Sequence, residues 1–286
     1  MRISESCAKC LYDRPAHRCP DPGYLAEVRE MIENRGDDES SPLLVYRFNQ
    51  AYVRRFGPAD DYREIKRRYD DLALGLRDGL RQRIAASPDP VKAALAYARV
   101  GNYIDFGAMD SVDEATFLSL FEGAGLRPEE EPVYAAFLAA CAGAERFLLV
   151  ADNCGEIVLD MLLIERLALR FPRLKFQVMV RGGEILNDAT LEDARHVGLD
   201  TVAEVIPSGA AVGGAVYALM SDEARRALDG ADVILAKGQG NYESLSGQGR
   251  PAFYAFLCKC DLFTRKFGVP LLTGMFVKEE DLPNNP

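Results

Sequence analysis

The chain has 286 residues, of which 48% are hydrophobic and 27% charged. That length and balance suit a folded protein with a substantial core, as one large domain or two unequal ones, and exclude wholesale disorder. Forty-four acids against 34 bases give a formal net charge of -10, which argues against a duplex nucleic-acid partner, because such proteins need a basic face. A local basic pocket for a small anion stays compatible with that charge.

The start, Met1–Arg2–Ile3–Ser4–Glu5–Ser6, has no signal-peptide core, and no apolar run reaches bilayer length. No membrane partner is expected, and a cytoplasmic location is. In that reducing setting the seven cysteines read as thiols or metal ligands rather than disulfides. Cys7 and Cys10 form a C-x-x-C, with His17 and Cys19 close behind and Cys258-x-Cys260 far along the chain. The spacing suits a metal hairpin, so Cys7, Cys10 and Cys260 are candidates for a structural Zn or Fe site. Free thiols or a redox pair are the alternatives. Cys141 and Cys154 read as inert.

From about Tyr24 to about Ala144 the patterns are helical. Ile65, Tyr69, Leu72, Leu76 and Leu80 recur at three- and four-residue spacings between Tyr62 and Leu80, with Arg and Lys on the other side. Helices are also expected at Pro90–Val100 and Val112–Ala124, the second with Asp113 and Glu114 near its start. The acidic run Asn34–Ser41 reads as a loop. Between two helices lies Gly101–Asn102–Tyr103–Ile104–Asp105–Phe106–Gly107, where the residues themselves favour a helix end and a turn.

From Arg146 short apolar runs alternate with helical patterns: Phe147–Ala151 then Ile157–Arg170, Lys175–Val180 then Leu191–Val197, Ala203–Pro207 then Asp222–Leu228, Val233–Lys237 then Pro251–Lys259, and last Val269–Thr273. Strand followed by helix means parallel strands with crossover helices. The expected fold class is α/β, a Rossmann-like three-layer α/β/α sandwich with a helical N-terminal domain. The expected boundaries are 1–144 for the helical part and 145–286 for the part that carries the site.

Polar clusters fall at the carboxyl ends of the expected strands, where open α/β sheets bind ligands. Asp152–Asn153 ends the first, Arg181–Gly182–Gly183 with Asn187–Asp188–Ala189–Thr190 follows the second, and Ser208–Gly209 follows the third. Lys237–Gly238–Gln239–Gly240–Asn241–Tyr242–Glu243 follows the fourth. An isolated Asp before a helix is usually an N-cap; four clusters on one edge make a site. Hard oxygens at Asp152 and Asn153 suit Mg²⁺ or Mn²⁺, ions that commonly hold phosphate. Two glycines beside Lys237 let backbone N–H groups approach an anion, with Lys237 as point charge and Asn241 as neutral donor. It is neither a P-loop nor a dinucleotide fingerprint, since no Gly-Lys-Ser/Thr follows and Glu243 stands where a third glycine belongs. A covalent aspartyl-phosphate is unsupported, because Cys154 stands two residues after Asp152.

Taken together, the segments Gly101–Gly107, Asp152–Glu156, Arg181–Gly182, Asn187–Thr190 and Lys237–Glu243 resemble the damage-control phosphatases, formerly domain of unknown function 89. The resemblance is to their archaeal and bacterial branch, which carries an N-terminal C-x-x-C and a cysteine where Cys260 stands. It departs at Gly183–Glu184, where the pattern has a proline after the glycine. The resemblance implies a metal-dependent phosphatase of small phosphorylated metabolites. It implies Asp152, Asn153 and Asp188 as ligands of a divalent metal (Mg, Mn, Co or Ni), Lys237 as the phosphate holder, and Asn102 and Asp105 nearby. Arg181, Gly238, Asn241 and Glu156 complete the substrate-binding set. Asp152 is the first candidate for orienting or deprotonating the water, and Glu156 the second. Two other readings stay open: a non-catalytic nucleotide or sugar-phosphate binding module, and a carboxyl methyltransferase. Oligomeric state is not legible.

Overall fold

The computed structural model describes residues 3–37, 39–58, 61–102, 121 and 123–282. Its strands are β1 (Arg146–Val150), β2 (Lys175–Val180), β3 (Glu204–Pro207), β4 (Val233–Lys237), β5 (Ala252–Leu257) and β6 (Gly274–Lys278). They form one sheet in the order β3-β2-β1-β4-β5-β6. The first five run parallel and β6 closes the edge antiparallel. The chain leaves β1 for β2 and β3 on one side, then returns to β4 on the other. The strand order therefore reverses between β1 and β4, and a crevice opens beyond their carboxyl ends.

Helices α1 (Glu5–Arg18), α2 (Pro22–Glu33), α3 (Ser41–Phe56), α4 (Arg63–Ala86), α5 (Pro90–Gly101) and α6 (Glu131–Gly143) precede the sheet. Helices α7 (Glu156–Arg170), α8 (Leu191–Val197), α9 (Asp222–Gly230), α10 (Gly238–Leu245) and α11 (Asp261–Phe267) alternate with the strands. Their starts are chemically marked. Asp21, Asp89 and Ser221 each accept the backbone N–H three residues on, and Pro22 and Pro90 open their helices.

One face of the sheet packs Leu149, Val178, Leu235 and Phe253 against Leu76 of α4, Leu95 of α5, Phe137 of α6 and Leu163 of α7. The other packs Leu148, Met179 and Ile234 against Leu228 of α9, Tyr242 of α10 and Phe263 of α11. Those are the three layers. A smaller core of Tyr24, Val28, Leu44 and Phe48 joins α1–α3. Helix α7 lies between the sheet and α4 and α5, and every residue from Glu156 to Ile164 is buried. That is the mark of a wholly enclosed helix. No helix among the described residues is long and apolar enough to cross a membrane.

Three elements differ from the sequence expectation. The run Pro251–Lys259, read as a helix, contains strand β5, whose six residues are all buried. Phe253 packs on Phe137 at 5.2 Å on one side, while Tyr254 packs on Tyr242 at 5.1 Å on the other. With both faces apolar, the run has no alternation to tell strand from helix. The helix after β4 is instead the glycine-rich Gly238–Leu245, and the last strand is Gly274–Lys278 rather than Val269–Thr273. The helix expected at Val112–Ala124 lies mostly outside the described residues, as does Asp105.

Candidate functional site

Strand β1 delivers Asp152 and Asn153 to the crevice. There the loops after β1 and β2 are stitched together. Ala189 N–H donates to Asp152 O and Cys154 N–H to Asn187 O, each at 2.8 Å, and Asn153 and Asp188 form an isolated antiparallel bridge. Residues 35 positions apart in sequence are thus held side by side by backbone hydrogen bonds. Such bonds fix their register without using the side chains.

The freed carboxylates meet at Arg181, the residue after β2. Its Nε lies 2.5 Å from Asp188 Oδ2 and its other nitrogens reach Asp152 Oδ1 at 3.0 Å and Asn241 Oδ1 at 2.9 Å. The guanidinium is buried, while the carboxylates keep 14% (Asp152) and 9% (Asp188) of their side-chain surface exposed. Asn241 in turn donates to the carbonyls of Val150, Ala151 and Lys237. It ties the ends of β1 and β4 together at the switch point and aims its own oxygen at Arg181.

Behind Asp152 lies a second network. Asn102, at the end of α5 and fully buried, donates to Asp152 Oδ2 at 2.8 Å and Glu156 Oε2 at 3.1 Å, and accepts from Leu257 N–H at 3.3 Å. Asn153 Nδ2 makes the same two contacts at 2.9 and 2.8 Å. Lys237 Nζ reaches Glu156 Oε1 at 2.6 Å, Asp160 Oδ1 at 2.6 Å and Ala98 O at 2.9 Å. Burial opposes its charge, but Asp160 and Glu156 outweigh that and hold the ammonium above its usual range.

Burial, then the charges of Asp188 and Glu156, push the Asp152 carboxyl up to about 7. Gly238 heads α10 with φ +74°, and a Cβ there would lie 2.0 Å from Asp152 Oδ2. Only glycine lets the strand end and the helix start pass so close to that carboxylate.

The structure therefore brings together Asn102, Asp152, Asn153, Glu156, Arg181, Asp188, Lys237, Gly238 and Asn241. Four of them differ from their expected use. Asn241 and Glu156, expected at the substrate, are fully buried: Asn241 spends its amide on three backbone carbonyls and Arg181, and Glu156 is paired with Lys237. Lys237, expected at the phosphate, points inward with all three protons committed. Arg181, expected at the substrate, is shared between two carboxylates. Asp160, which sequence reasoning passed over, was marked by being the one charge in the otherwise apolar run Ile157–Ile164, one turn after Glu156.

The cysteines are arranged differently from the expected hairpin. Cys7 and Cys10 lie on helix α1, Cys7 half-buried and Cys10 exposed, and Cys260 caps α11. Burial, with Glu243 and Cys260 nearby, raises the Cys7 thiol. Cys10 turns to solvent, and no three His, Cys, Asp or Glu side chains among the described residues gather as a metal site. His196, on α8, bonds Asp71 of α4 at 2.6 Å.

A mostly parallel sheet with carboxylate and amide oxygens over its switch point defines an α/β protein with a polar crevice at the strand ends, the place where open α/β sheets bind ligands. The chain belongs to the damage-control phosphatase ARMT1-like domain family, which it matches over residues 18–273. It is 30% identical to a damage-control phosphatase of Archaeoglobus fulgidus over 284 residues, covering 94% of this chain and 96% of the relative. It is 26% identical to a damage-control phosphatase of Pyrococcus horikoshii over 287 residues, with the same coverage. The crystal structure of a DUF89 family protein from Pyrococcus horikoshii superposes with a TM-score of 0.77 at 23% identity, covering 98% of this chain and 99% of that one. That likeness concerns the fold.

Proposed function

We propose that the chain is a divalent-metal-dependent phosphatase acting on small phosphorylated metabolites in the cytoplasm, with Asp152, Asn153 and Asp188 as the metal's protein ligands. The observation that carries this reading is the convergence of the Asp152 and Asp188 carboxylates on Arg181 at the crest of the switch point. Two mostly buried carboxylates share one monovalent partner, so the centre holds excess negative charge on hard oxygens. That donor set fits Mg²⁺, Mn²⁺, Co²⁺ or Ni²⁺.

Bound there, such an ion would offset charge on the transferring phosphoryl group and orient a water for in-line attack. The chain's own groups do the rest. Asp152, which keeps 14% of its side-chain surface open to the crevice, accepts the water's proton. Asn102 and Asn153 fix the rotation of that carboxylate through their bonds to Oδ2. The first N–H groups of α10, from Gly238 onward, face a phosphate as a helix N-terminus does. Lys237 acts through Glu156, which it anchors, rather than by touching substrate. Asp105 belongs to the proposed substrate set by resemblance alone.

The test is phosphate release from sugar phosphates and p-nitrophenyl phosphate by metal-stripped protein, with each ion added back and Asp152→Ala as control. Release that needs a divalent ion and disappears in the variant supports the proposal. No release with any ion, from folded protein that still binds phosphate esters, replaces it with a binding module. Binding of S-adenosylmethionine would favour the methyltransferase, although the loop after β1 has the single glycine Gly155 and β2 leads into Arg181 rather than an acid.

A further inference from the structure

Helix α4 belongs to the helical half, and nothing in its amphipathic pattern marks it as functional. Yet two of its polar residues, one turn apart, reach the two loops that carry the proposed metal ligands. Asp70 Oδ1 accepts the Gly155 amide at 2.6 Å. Gly155 follows Asn153–Cys154 and caps α7 with φ +67°. Lys66 Nζ lies 2.7 Å from Asp193 Oδ2 and 2.8 Å from Glu184 Oε2. Glu184 opens the stretch that leads to Asp188. Asp193 closes it, accepting the Thr190 amide and hydroxyl at 2.7 Å each.

Lys66 and Asp70 are 1% and 0% exposed, so they are not a solvated pair on a helix surface. Their bonds run to the loops, and Asp70 Oδ2 has no hydrogen-bond partner. A charge buried this deeply persists only where specific partners hold it. The partners here lie directly behind the two ligand loops, which are also sewn to each other through Ala189 N–H and Cys154 N–H.

We propose that Lys66 and Asp70 are positioning residues: from one turn of α4 they clamp the Asp152–Asn153 loop and the Asp188 loop at a fixed separation, and so set the spacing of the metal's oxygen ligands. The proposal rests on Asp152, Asn153 and Asp188 being those ligands. Neither positioning residue touches substrate or metal. Their effect is exerted through Gly155 on one side, and through Glu184, Asp193 and Thr190 on the other.

Calorimetric titration of metal-stripped full-length protein with Mn²⁺ tests this without reference to turnover. Partners that orient metal ligands typically contribute about 10- to 100-fold in affinity. Asp70→Ala and Lys66→Met should each weaken Mn²⁺ binding by at least about tenfold. Asp70→Asn, which keeps an acceptor oxygen for Gly155 N–H, should stay close to wild type. Ile84→Val, a core change elsewhere in α4, should lower the melting temperature and leave the affinity alone. Lys66→Met leaves the Gly155 bond in place and gives the reading even where Asp70→Ala does not fold. Wild-type affinity in folded Asp70→Ala or Lys66→Met, alongside lost binding in Asp188→Ala, overturns the clamp. Wild-type affinity in Asp188→Ala overturns the ligand assignment instead.

Discussion

Lys237 Nζ lies 2.6 Å from Glu156 Oε1, and neither side chain is exposed. The pair joins the end of β4 to the first turn of α7, directly beneath Asp152. A lysine at the carboxyl end of a strand invites the role of phosphate holder. In this chain its neighbours consume it, and its charge supports the crevice from below.

Replacing Lys237 by Met should therefore act on stability first. It leaves Glu156 and Asp160 buried without their counter-ion, and breaking a buried pair from one side costs about 3–5 kcal/mol. Urea unfolding should show a loss of that order at pH 8, shrinking at pH 5, where the orphaned Asp160 carboxyl takes up a proton. An unchanged midpoint with only a higher KM would return Lys237 to direct contact with substrate.

Asp160 gives a prediction in pH. Burial, then Glu156, raises its carboxyl to about 7 even though Lys237 pulls it down. A carboxyl whose folded value lies above its unfolded value of 3.8 contributes stability that is complete below pH ~4 and is lost as pH rises through ~7. Asp160→Asn mimics the protonated form, does not titrate, and leaves Lys237 and Glu156 as a balanced pair. Its melting temperature relative to wild type should rise between pH 4 and pH 8. A flat or falling difference would contradict the assignment.

Gly238→Ala probes the junction of β4 and α10. The added methyl would lie 2.0 Å from Asp152 Oδ2, on a backbone with φ +74°. A non-glycine residue in that region costs about 1–3 kcal/mol, and here the carboxylate itself must move. Phosphate release should fall by at least about tenfold, the factor that about 1.4 kcal/mol of lost transition-state stabilisation gives, while circular dichroism keeps the fold. Full activity would show that the position of Asp152 is not critical.

Arg181→Met removes the shared counter-ion of Asp152 and Asp188. Without divalent ions the variant should melt well below wild type. Mn²⁺ should restore more of the loss than it adds to wild type, because a cation binding only the folded state stabilises it in proportion to its occupancy. Differential scanning fluorimetry with and without Mn²⁺ reads both numbers, and equal shifts in the two proteins would separate Arg181 from the metal centre.

Much of the sheet is legible in the sequence, because a parallel strand is a short apolar run that stops on a polar residue. Lys175–Val180 and Val233–Lys237 fall where that rule puts them, and Asp152 and Asn153 mark the end of β1. β5 escapes the rule because aromatic packing covers both of its faces, including Phe253 on Phe276 at 6.0 Å. Helix α10 escapes it because its glycines look like a turn. In fact a Cβ on Gly240 would lie 2.1 Å from Gly213 O, so the glycine serves close packing of a helix. The direction of Lys237 and the reach of Lys66 and Asp70 depend on which elements pack together, which spacing along the chain does not encode.

The most direct measurement is the initial rate of phosphate release as a function of added Mn²⁺, for metal-stripped wild type and for Asp188→Ala side by side. In wild type the rate should rise from near zero and saturate; in the folded variant it should stay near zero at concentrations that saturate wild type. A variant curve that overlays the wild-type curve would contradict a catalytic centre built on the Asp152–Asp188 pair.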